Sequence, residues 1–336
     1  MDNFIYCALK FKMIFLRGAL WLALLALCGC RNNPGFSITF GGDIILSREG
    51  EALFSRDPWG VATQINRLDG NFGSENLFFA NLESPLFKTG EWKKVEPAGY
   101  DLCADDSQMV ILLAGDLDLV SIANNHQWDC GDEDGENTRK ILLEQSVQSV
   151  GVGLSPVFFD TKSGRVGIIA AEDVTQTINM QELVDQIKLV RQQCDYLIIS
   201  MHWGMEYQIG ASERQRELAQ SIADAGADVL WGHHPHVLQP IEWVSSSTEN
   251  KKMLVMYSLG NLLADQWMTQ DTQLSALITL NFSQGDIVSI AMLPILMDRA
   301  TKTLKIPDTD ASDMIWDRIG LKELSGIEVI PLTSYP

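Results

Sequence analysis

Short apolar runs alternate with helical patterns along most of the chain. Strands are predicted at seven apolar or alternating runs: residues 36–40, 77–82, 118–123, 165–170, 196–200, 227–231 and 253–258. Helical spacing of apolar positions is found in three segments: residues 137–147, 182–194 and 212–225. Two further apolar runs, 274–282 and 287–293, predict a hairpin. This order of elements predicts an α/β fold in a single folded domain.

The N-terminus has the pattern of a targeting segment. Three basic residues precede an uncharged run over 18–27, which is shorter than the roughly 20 residues of a membrane-spanning helix. The sequence Leu27-Cys28-Gly29-Cys30 matches the bacterial lipobox. We therefore predict a cleaved signal peptide over 1–29 and a lipid anchor on Cys30. This anchor predicts a location in the cell envelope, outside the cytoplasm; an uncleaved anchor or an ordinary signal peptide is the alternative.

The rest of the chain divides into a short tether and one long folded segment. We expect a polar tether over 30–35, a domain over 36–300, and a C-terminal extension over 301–336 that packs on the domain or trails from it. The least regular stretches are 88–108 and the tail after Asp298.

The charge of the chain limits its partners. Its 25 Lys and Arg against 44 Asp and Glu give a formal net charge of −19. A protein this acidic repels nucleic acid and anionic lipid surfaces. We predict no nucleic acid partner, and an anionic substrate needs a metal ion in its binding site.

Beyond the predicted signal peptide and Cys30, three cysteines remain: Cys103, Cys130 and Cys194. They show no C-x-x-C spacing, which argues against a zinc ribbon or a disulfide framework. A single bridge that leaves one thiol free is compatible with this number. Cys194 ends a helical pattern and has the character of a core residue, but the spacing assigns no pair.

Polar side chains follow several predicted strands directly. All five histidines of the chain do so, as do two carboxylates: His126, His202, His233, His234, His236, Asp43 and Glu83. Each of them alone is as well explained by a turn or a helix cap. Together they predict one site, because strand ends in an open α/β sheet meet at one edge. Carboxylate and imidazole ligands suit Zn²⁺, Mn²⁺ or Fe better than Ca²⁺ or Mg²⁺.

Seven sequence blocks over about residues 36–265 resemble, in the same order, the signature blocks of the CapA family of poly-γ-glutamate synthesis proteins. They are Gly42-Asp43, Asn81-Leu82-Glu83, Ser121 to His126 with Asp129 and Gly131, His202 to Tyr207, Gly226-Ala227-Asp228, Gly232 to Val237, and Tyr257 to Asn261. The resemblance implies a calcineurin-like metallophosphoesterase fold. Such a fold is a four-layer α/β sandwich, in which two mixed β-sheets are flanked by helices.

The resemblance also implies a set of site residues. By position, the ligands of one or two divalent ions (Mn, Zn or Fe) are Asp43, Glu83, Asn125, His202, His234 and His236. His126, next to Asn125, takes the place of the general acid. Whether His233 or His234 fills the first position of the G-H-x-H motif stays open from the sequence.

Two positions depart from the phosphoesterase pattern. Ile45 stands where the D-x-H motif has histidine, which predicts an incomplete second metal position. Gln127 follows His126 where the phosphatases have an acidic residue, which predicts a general acid without an acidic partner.

The resemblance implies a role in capsule polymer synthesis or processing, with a possible synthase complex as partner. We expect a metal-dependent hydrolase whose substrate is an anionic polymer or a phosphoester. The alternative is a non-catalytic protein that binds, retains or exports an anionic polymer through its metal. A closed structural metal site is a third interpretation, and the open, glycine-containing turns argue against it.

Overall fold

The structure is a computed structural model that describes residues 35–46, 58–60, 75–90, 101–131 and 135–332. The predicted signal peptide, Cys30 and most of the tether lie outside the described residues. In the described ranges, no helix has the length and apolar character that crossing a membrane requires.

The described ranges contain short and long strands that alternate with five α-helices. The strands are β1 Phe36–Ile44, β2 Asn76–Leu82, β3 Leu86–Phe87, β4 Ala104–Asp105, β5 Leu119–Ser121, β6 Gln148–Val150, β7 Val157–Thr161, β8 Gly164–Glu172, β9 Tyr196–His202, β10 Val229–His233, β11 Ile241–Ser245, β12 Lys252–Met256, β13 Asn261–Leu263, β14 Leu274–Ser283, β15 Asp286–Asp298, β16 Thr303–Lys305 and β17 Glu328–Pro331. The helices are α1 Met109–Ala114, α2 Glu136–Glu144, α3 Met180–Arg191, α4 Glu213–Asp224 and α5 Thr309–Ile319.

Two mixed sheets form the centre of the fold. The larger sheet has the strand order β16-β15-β14-β1-β2-β5-β6, with β13 paired to β1 and β17 paired to β15. The smaller sheet has the order β11-β12-β10-β9-β8-β7. β1, β2 and β5 are parallel neighbours, and so are β8, β9 and β10. The carboxyl ends of each parallel group therefore lie at one edge of its sheet.

Three buried apolar clusters separate the layers. The first fills the space between the sheets, where Phe40 and Phe79 meet Trp231 with ring centroids 5.4 and 6.5 Å from it. The second lies between the larger sheet and α1 and α2, and the third between the smaller sheet and α3 and α4. The predicted α/β architecture, two mixed sheets flanked by helices, is confirmed.

The helix that leads to the histidine-rich turn has strong local signals. Ser212 accepts a hydrogen bond from Gln215 N at 3.2 Å, and Gln215 Oε1 accepts one from Ser212 N at 2.9 Å. This capping box satisfies amide groups that the first turn of α4 cannot pair within the helix. Leu218 and Ile222 then face the smaller sheet, so that the chain returns into β10.

Two stretches for which the sequence predicted no element contain regular structure. Residues 109–114 form α1, whose uniformly apolar sequence has no helical period to detect. The tail after Asp298 contains β16, α5 and β17, and both strands pair with β15. This tail lacks a strong pattern because β16 and β17 are short and only half-buried.

Candidate metal centre

Asp43 reaches the edge of the larger sheet through an irregular stretch of β1. The register between β1 and β2 shifts between Phe40 and Asp43. At Gly42 the backbones come so close that a Cβ atom would lie 1.9 Å from the Gly260 carbonyl oxygen. Glycine is therefore required at position 42, and the neighbouring Asp43 N donates to the same carbonyl at 2.9 Å.

The Asp43 carboxylate is fully buried and surrounded by polar groups. Asn81 Nδ2 donates to its Oδ1 at 2.9 Å, and His234 N donates to its Oδ2 at 3.3 Å. His233 Nδ1 lies 3.5 Å from Oδ1, and His236 Nδ1 lies 3.4 Å from Oδ2. Burial alone would raise the pKa of Asp43, but the two histidines outweigh it and hold this pKa well below its ordinary value. Asp43 is therefore an ionised oxygen donor.

Glu83 and His236 lie close to the Asp43 carboxylate. Glu83 follows β2, and its backbone N donates to Ile44 O at 2.9 Å. His236 Nδ1 lies 3.8 Å from Glu83 Oε1 and 3.0 Å from Asn261 Oδ1. Burial lowers the pKa of His236, but the charge of Glu83 and the hydrogen bond with Asp43 overcome this effect and raise it to about 9. One ligand atom each of Asp43, Glu83 and His236 lies within 4.8 Å of the others.

A further part of the site comes from the end of β9 and from the turns after β5 and β10, which contribute His202, Asn125 and His234. Asn125 Oδ1 lies 2.7 Å from His202 Nε2, and the rings of His202 and His234 have centroids 4.8 Å apart. Burial, followed by the charge of the neighbouring histidine, lowers the pKa of His202 well below its ordinary value. The same two causes lower the pKa of His234 to about 4. Both imidazoles are therefore neutral at physiological pH and ready to bind a metal, whereas His236 has to release a proton to do so.

Two buried nitrogens of the predicted ligands have no hydrogen-bond partner among the described residues, namely Nδ1 of His202 and Nδ1 of His234. Leaving such atoms unpaired costs about 1–3 kcal/mol each, and a divalent ion relieves this cost. His234 and His236 also have positive φ angles of 95° and 57°. Strained backbone of this kind is typical of sites where function fixes the side chains. Oxygen and nitrogen donors in this arrangement fit Zn²⁺, Mn²⁺ or Fe.

The structure distinguishes His233 from His234. His233 is the last residue of β10, and its Nε2 lies 3.1 Å from Ser200 Oγ. Its ring also contacts the edge of Trp231, with centroids 4.3 Å apart. His234, in contrast, lies beside His202 and His236. His234 is therefore the better candidate for the first position of the G-H-x-H motif.

The expectation that His126 lacks an acidic partner is wrong. Asp129, three residues further on, places Oδ2 2.8 Å from His126 Nδ1. The same oxygen accepts a hydrogen bond from Leu102 N at 2.7 Å. The phosphatase motif points only to the adjacent position, which is Gln127 here. The turn after Asn124 reverses the chain direction and brings Asp129 to the His126 ring instead. A backbone bond from Asp129 N to His126 O at 3.0 Å closes this turn.

A disulfide bridge ties this turn to a distant segment. Cys103 and Cys130 are bonded, with Cα atoms 5.4 Å apart, and Cys194 is the free cysteine of the described residues. The bridge joins the neighbours of Leu102 and Asp129, the two residues that share the hydrogen bond described above. The spacing of the cysteines in the sequence does not indicate this pair.

Ile45 supplies no ligand atom to the site. It is fully buried in a small apolar cluster with Leu102 and Ala264. The position that holds histidine in the D-x-H motif is thus part of the hydrophobic core here.

Glu206 was not among the predicted site residues, although it lies four positions after His202. Its carboxylate is exposed, and one of its oxygens lies within 4.8 Å of ligand atoms of His234 and His236. The spacing in His202-Trp203-Gly204-Met205-Glu206 was the available signal, since the loop after β9 meets the loop after β10.

Three named proteins are similar in sequence to this chain over most of its length. It is 26% identical to the PGA biosynthesis protein CapA of Bacillus subtilis over 79% of this chain and 72% of that protein. It is also 26% identical to the capsule biosynthesis protein CapA of Bacillus anthracis, over 79% of this chain and 68% of that protein. A probable polyglutamine synthesis accessory protein of Mycobacterium tuberculosis is 22% identical over 82% of this chain and 79% of its own length.

Among solved structures, a phosphatase of Mycoplasma pneumoniae aligns with 85% of this chain and 99% of its own, at 10% identity and a TM-score of 0.49. The model of the bacterial capsule synthesis protein family PGA_cap matches residues 37–266, which include the seven sequence blocks up to Asn261. The chain belongs to the bacterial capsule synthesis protein family PGA_cap.

Proposed function

We propose that this protein is a metal-dependent hydrolase of the cell envelope that acts on an anionic capsule polymer, such as poly-γ-glutamate, or on a phosphoester. The names of the relatives, which concern PGA and capsule biosynthesis, support the polymer as substrate. The observation that carries the catalytic part is the His126–Asp129 pair. A site that only binds the polymer does not need an oriented proton donor.

Six side chains hold one or two divalent ions in this proposal: Asp43, Glu83, Asn125, His202, His234 and His236. A bound divalent ion would supply Lewis acidity and an activated water. Asp43 and Glu83 contribute anionic oxygens, and the neutral rings of His202 and His234 contribute nitrogen lone pairs. Asn261 and Asn81 orient His236 and Asp43 by the hydrogen bonds described above, so that the ligands are fixed before the ion binds.

His126 is the proton donor in this proposal. Asp129 fixes the ring through Nδ1, which leaves Nε2 to give a proton to the leaving group as the scissile bond breaks. His126 directly follows Asn125, whose Oδ1 lies 2.7 Å from His202 Nε2, so the donor is adjacent in sequence to the ligand set. Asn125, the adjacent residue, positions the same turn through its contact with His202.

A cell-envelope location belongs to this proposal as well. The predicted lipid anchor at Cys30 would hold the protein at the membrane, where a polymer synthase complex is the expected partner. The disulfide between Cys103 and Cys130 supports an oxidising compartment.

Ile45 favours a second candidate function. Because this position adds no ligand, the site can be a metal-assisted binding site for the carboxylates of an anionic polymer, without turnover. Metal-loaded protein should be incubated with poly-γ-glutamate and with phosphodiesters, and both hydrolysis and polymer binding should be measured. Hydrolysis that disappears in His126→Gln supports the enzyme, whereas polymer binding without turnover in either protein supports the second candidate.

A further inference from the structure

We propose that Glu206 is an additional metal ligand, and that with His234 and His236 it forms a solvent-facing part of the metal centre that recruits the anionic group of the substrate. The proposal deepens the proposed function and rests on it for the identity of the substrate class. The metal-binding part stands on the contacts described below.

The backbone around Glu206 is fixed against the loop after β10. Trp203 N donates to His233 O at 3.1 Å, and Tyr207 N donates to Pro235 O at 2.8 Å. These bonds lie on both sides of Glu206 in the sequence. Tyr207 has a positive φ angle of 64°, a conformation that tyrosine rarely adopts. The loop is therefore built to hold position 206 beside the histidine-rich turn.

The distances suit one divalent ion. The ligand atoms of Glu206, His234 and His236 all lie within 4.8 Å of one another. Two ligands on one ion with bonds of about 2.0–2.2 Å are about 3–4 Å apart. A small rotation of the Glu206 side chain closes the difference between these two separations. Fixing an exposed glutamate in this way costs at most about 2 kcal/mol in side-chain conformational entropy.

A second observation points to a ligand at this place. His234 is 6% exposed, and its Nδ1 has no hydrogen-bond partner among the described residues. Asp43 and Glu83 form a second group with His236 and are buried, whereas Glu206 is exposed. His236 therefore belongs to both groups, and Glu206 is their one exposed carboxylate.

The exposed position of Glu206 gives this ligand a specific role. An ion held by Glu206, His234 and His236 alone would keep coordination positions open, and Glu206 is the exposed member of this group. An incoming carboxylate or phosphate oxygen can fill them. Because the chain has a net charge of −19, it repels an anionic substrate. A bound cation at the entrance would attract such a substrate.

The test is metal binding by the folded protein, measured by calorimetry with Mn²⁺ and with Zn²⁺ in the absence of any substrate. Glu206→Gln keeps the size of the side chain and removes its charge, and we expect affinity for at least one ion to fall at least about tenfold. Glu249→Gln is the matched control. Glu249 is exposed and precedes β12, at the opposite end of the strands from the site, so this variant should bind like the wild type.

Glu206→His separates a ligand from a merely negative charge. Histidine carries no negative charge but can coordinate, so Zn²⁺ affinity should return toward the wild-type value while Mn²⁺ affinity recovers less. Equal losses in Glu206→Gln and Glu206→His would show that only the charge matters and would overturn the proposal.

The outcome is independent of whether the protein is a hydrolase. If Asp43→Asn loses metal but Glu206→Gln binds both ions like the wild type, this inference fails and the proposed function survives. If Glu206→Gln weakens metal binding and the wild type hydrolyses no substrate, the inference stands and the catalytic proposal fails.

Discussion

Replacement of Asp129 by alanine removes the acceptor that orients His126. The two atoms are 2.8 Å apart, and only 14% of the His126 side chain and 17% of the Asp129 side chain are exposed. A hydrogen bond to a charged group in such surroundings contributes about 1.5–3 kcal/mol. If this contribution acts in the transition state, turnover should fall roughly 10- to 150-fold. His126→Gln removes the donor itself and should cost about 10²- to 10⁴-fold.

Asp129→Asn provides a graded control. Its amide oxygen can still accept from both His126 Nδ1 and Leu102 N, so the turn keeps its shape while the negative charge is lost. We expect a loss below about tenfold for this variant, since a neutral hydrogen bond is worth about half a charged one. Asp286→Asn, in the exposed hairpin between β14 and β15, makes the same charge change away from the site and should have no effect.

The assay compares two phosphodiesters that share a binding group but differ in leaving group. A nitrophenolate leaves without a proton, whereas an alkoxide needs one, so the losses in His126→Gln and Asp129→Ala should be larger with the alkyl ester. In the double variant, Asp129→Ala should add little to His126→Gln, because Asp129 acts through His126. Equal losses with both esters, or fully additive losses, would refute the assignment of His126 as proton donor.

Three further predictions concern other parts of the chain. Replacing both Cys103 and Cys130 by serine should lower the free energy of unfolding by about 3–4 kcal/mol, as the bridge closes a 27-residue separation, and unfolding in urea measures this. Gly42→Ala should lower the melting temperature and metal content together, because its Cβ has no room beside Gly260 O; retention of both would contradict the close approach. Cys30→Ser should release the protein from membranes on fractionation, and membrane-bound uncleaved precursor would instead indicate an ordinary signal anchor.

The fold could be predicted because its signals are local. Apolar strands such as β9, with every residue buried, and amphipathic helices such as α4 are visible in the sequence. The strand ends also carried the polar residues that the structure brings together, including Asp43 and His236. Within each sheet, the carboxyl ends of the parallel strands lie at one edge, and the packing of the two sheets brings Asp43 and His236 together.

What the sequence did not predict depends on loops that fold back. Asp129 contacts His126 because a turn reverses the chain, and Glu206 approaches His234 because two separate loops are hydrogen-bonded together. The pairing of Cys103 with Cys130 has the same origin. Such contacts are set by tertiary structure, so no periodic pattern in the sequence encodes them.

The metal content of the purified folded protein tests the central claim most directly. Wild type, Asp43→Asn and His236→Ala should be dialysed against Mn²⁺ or Zn²⁺, freed of excess ion, and measured by elemental mass spectrometry, with circular dichroism to verify folding. We predict at least one tightly bound ion per wild-type chain and a clear loss in both folded variants. A wild-type protein without bound metal, or folded variants that retain the full amount, would contradict the account.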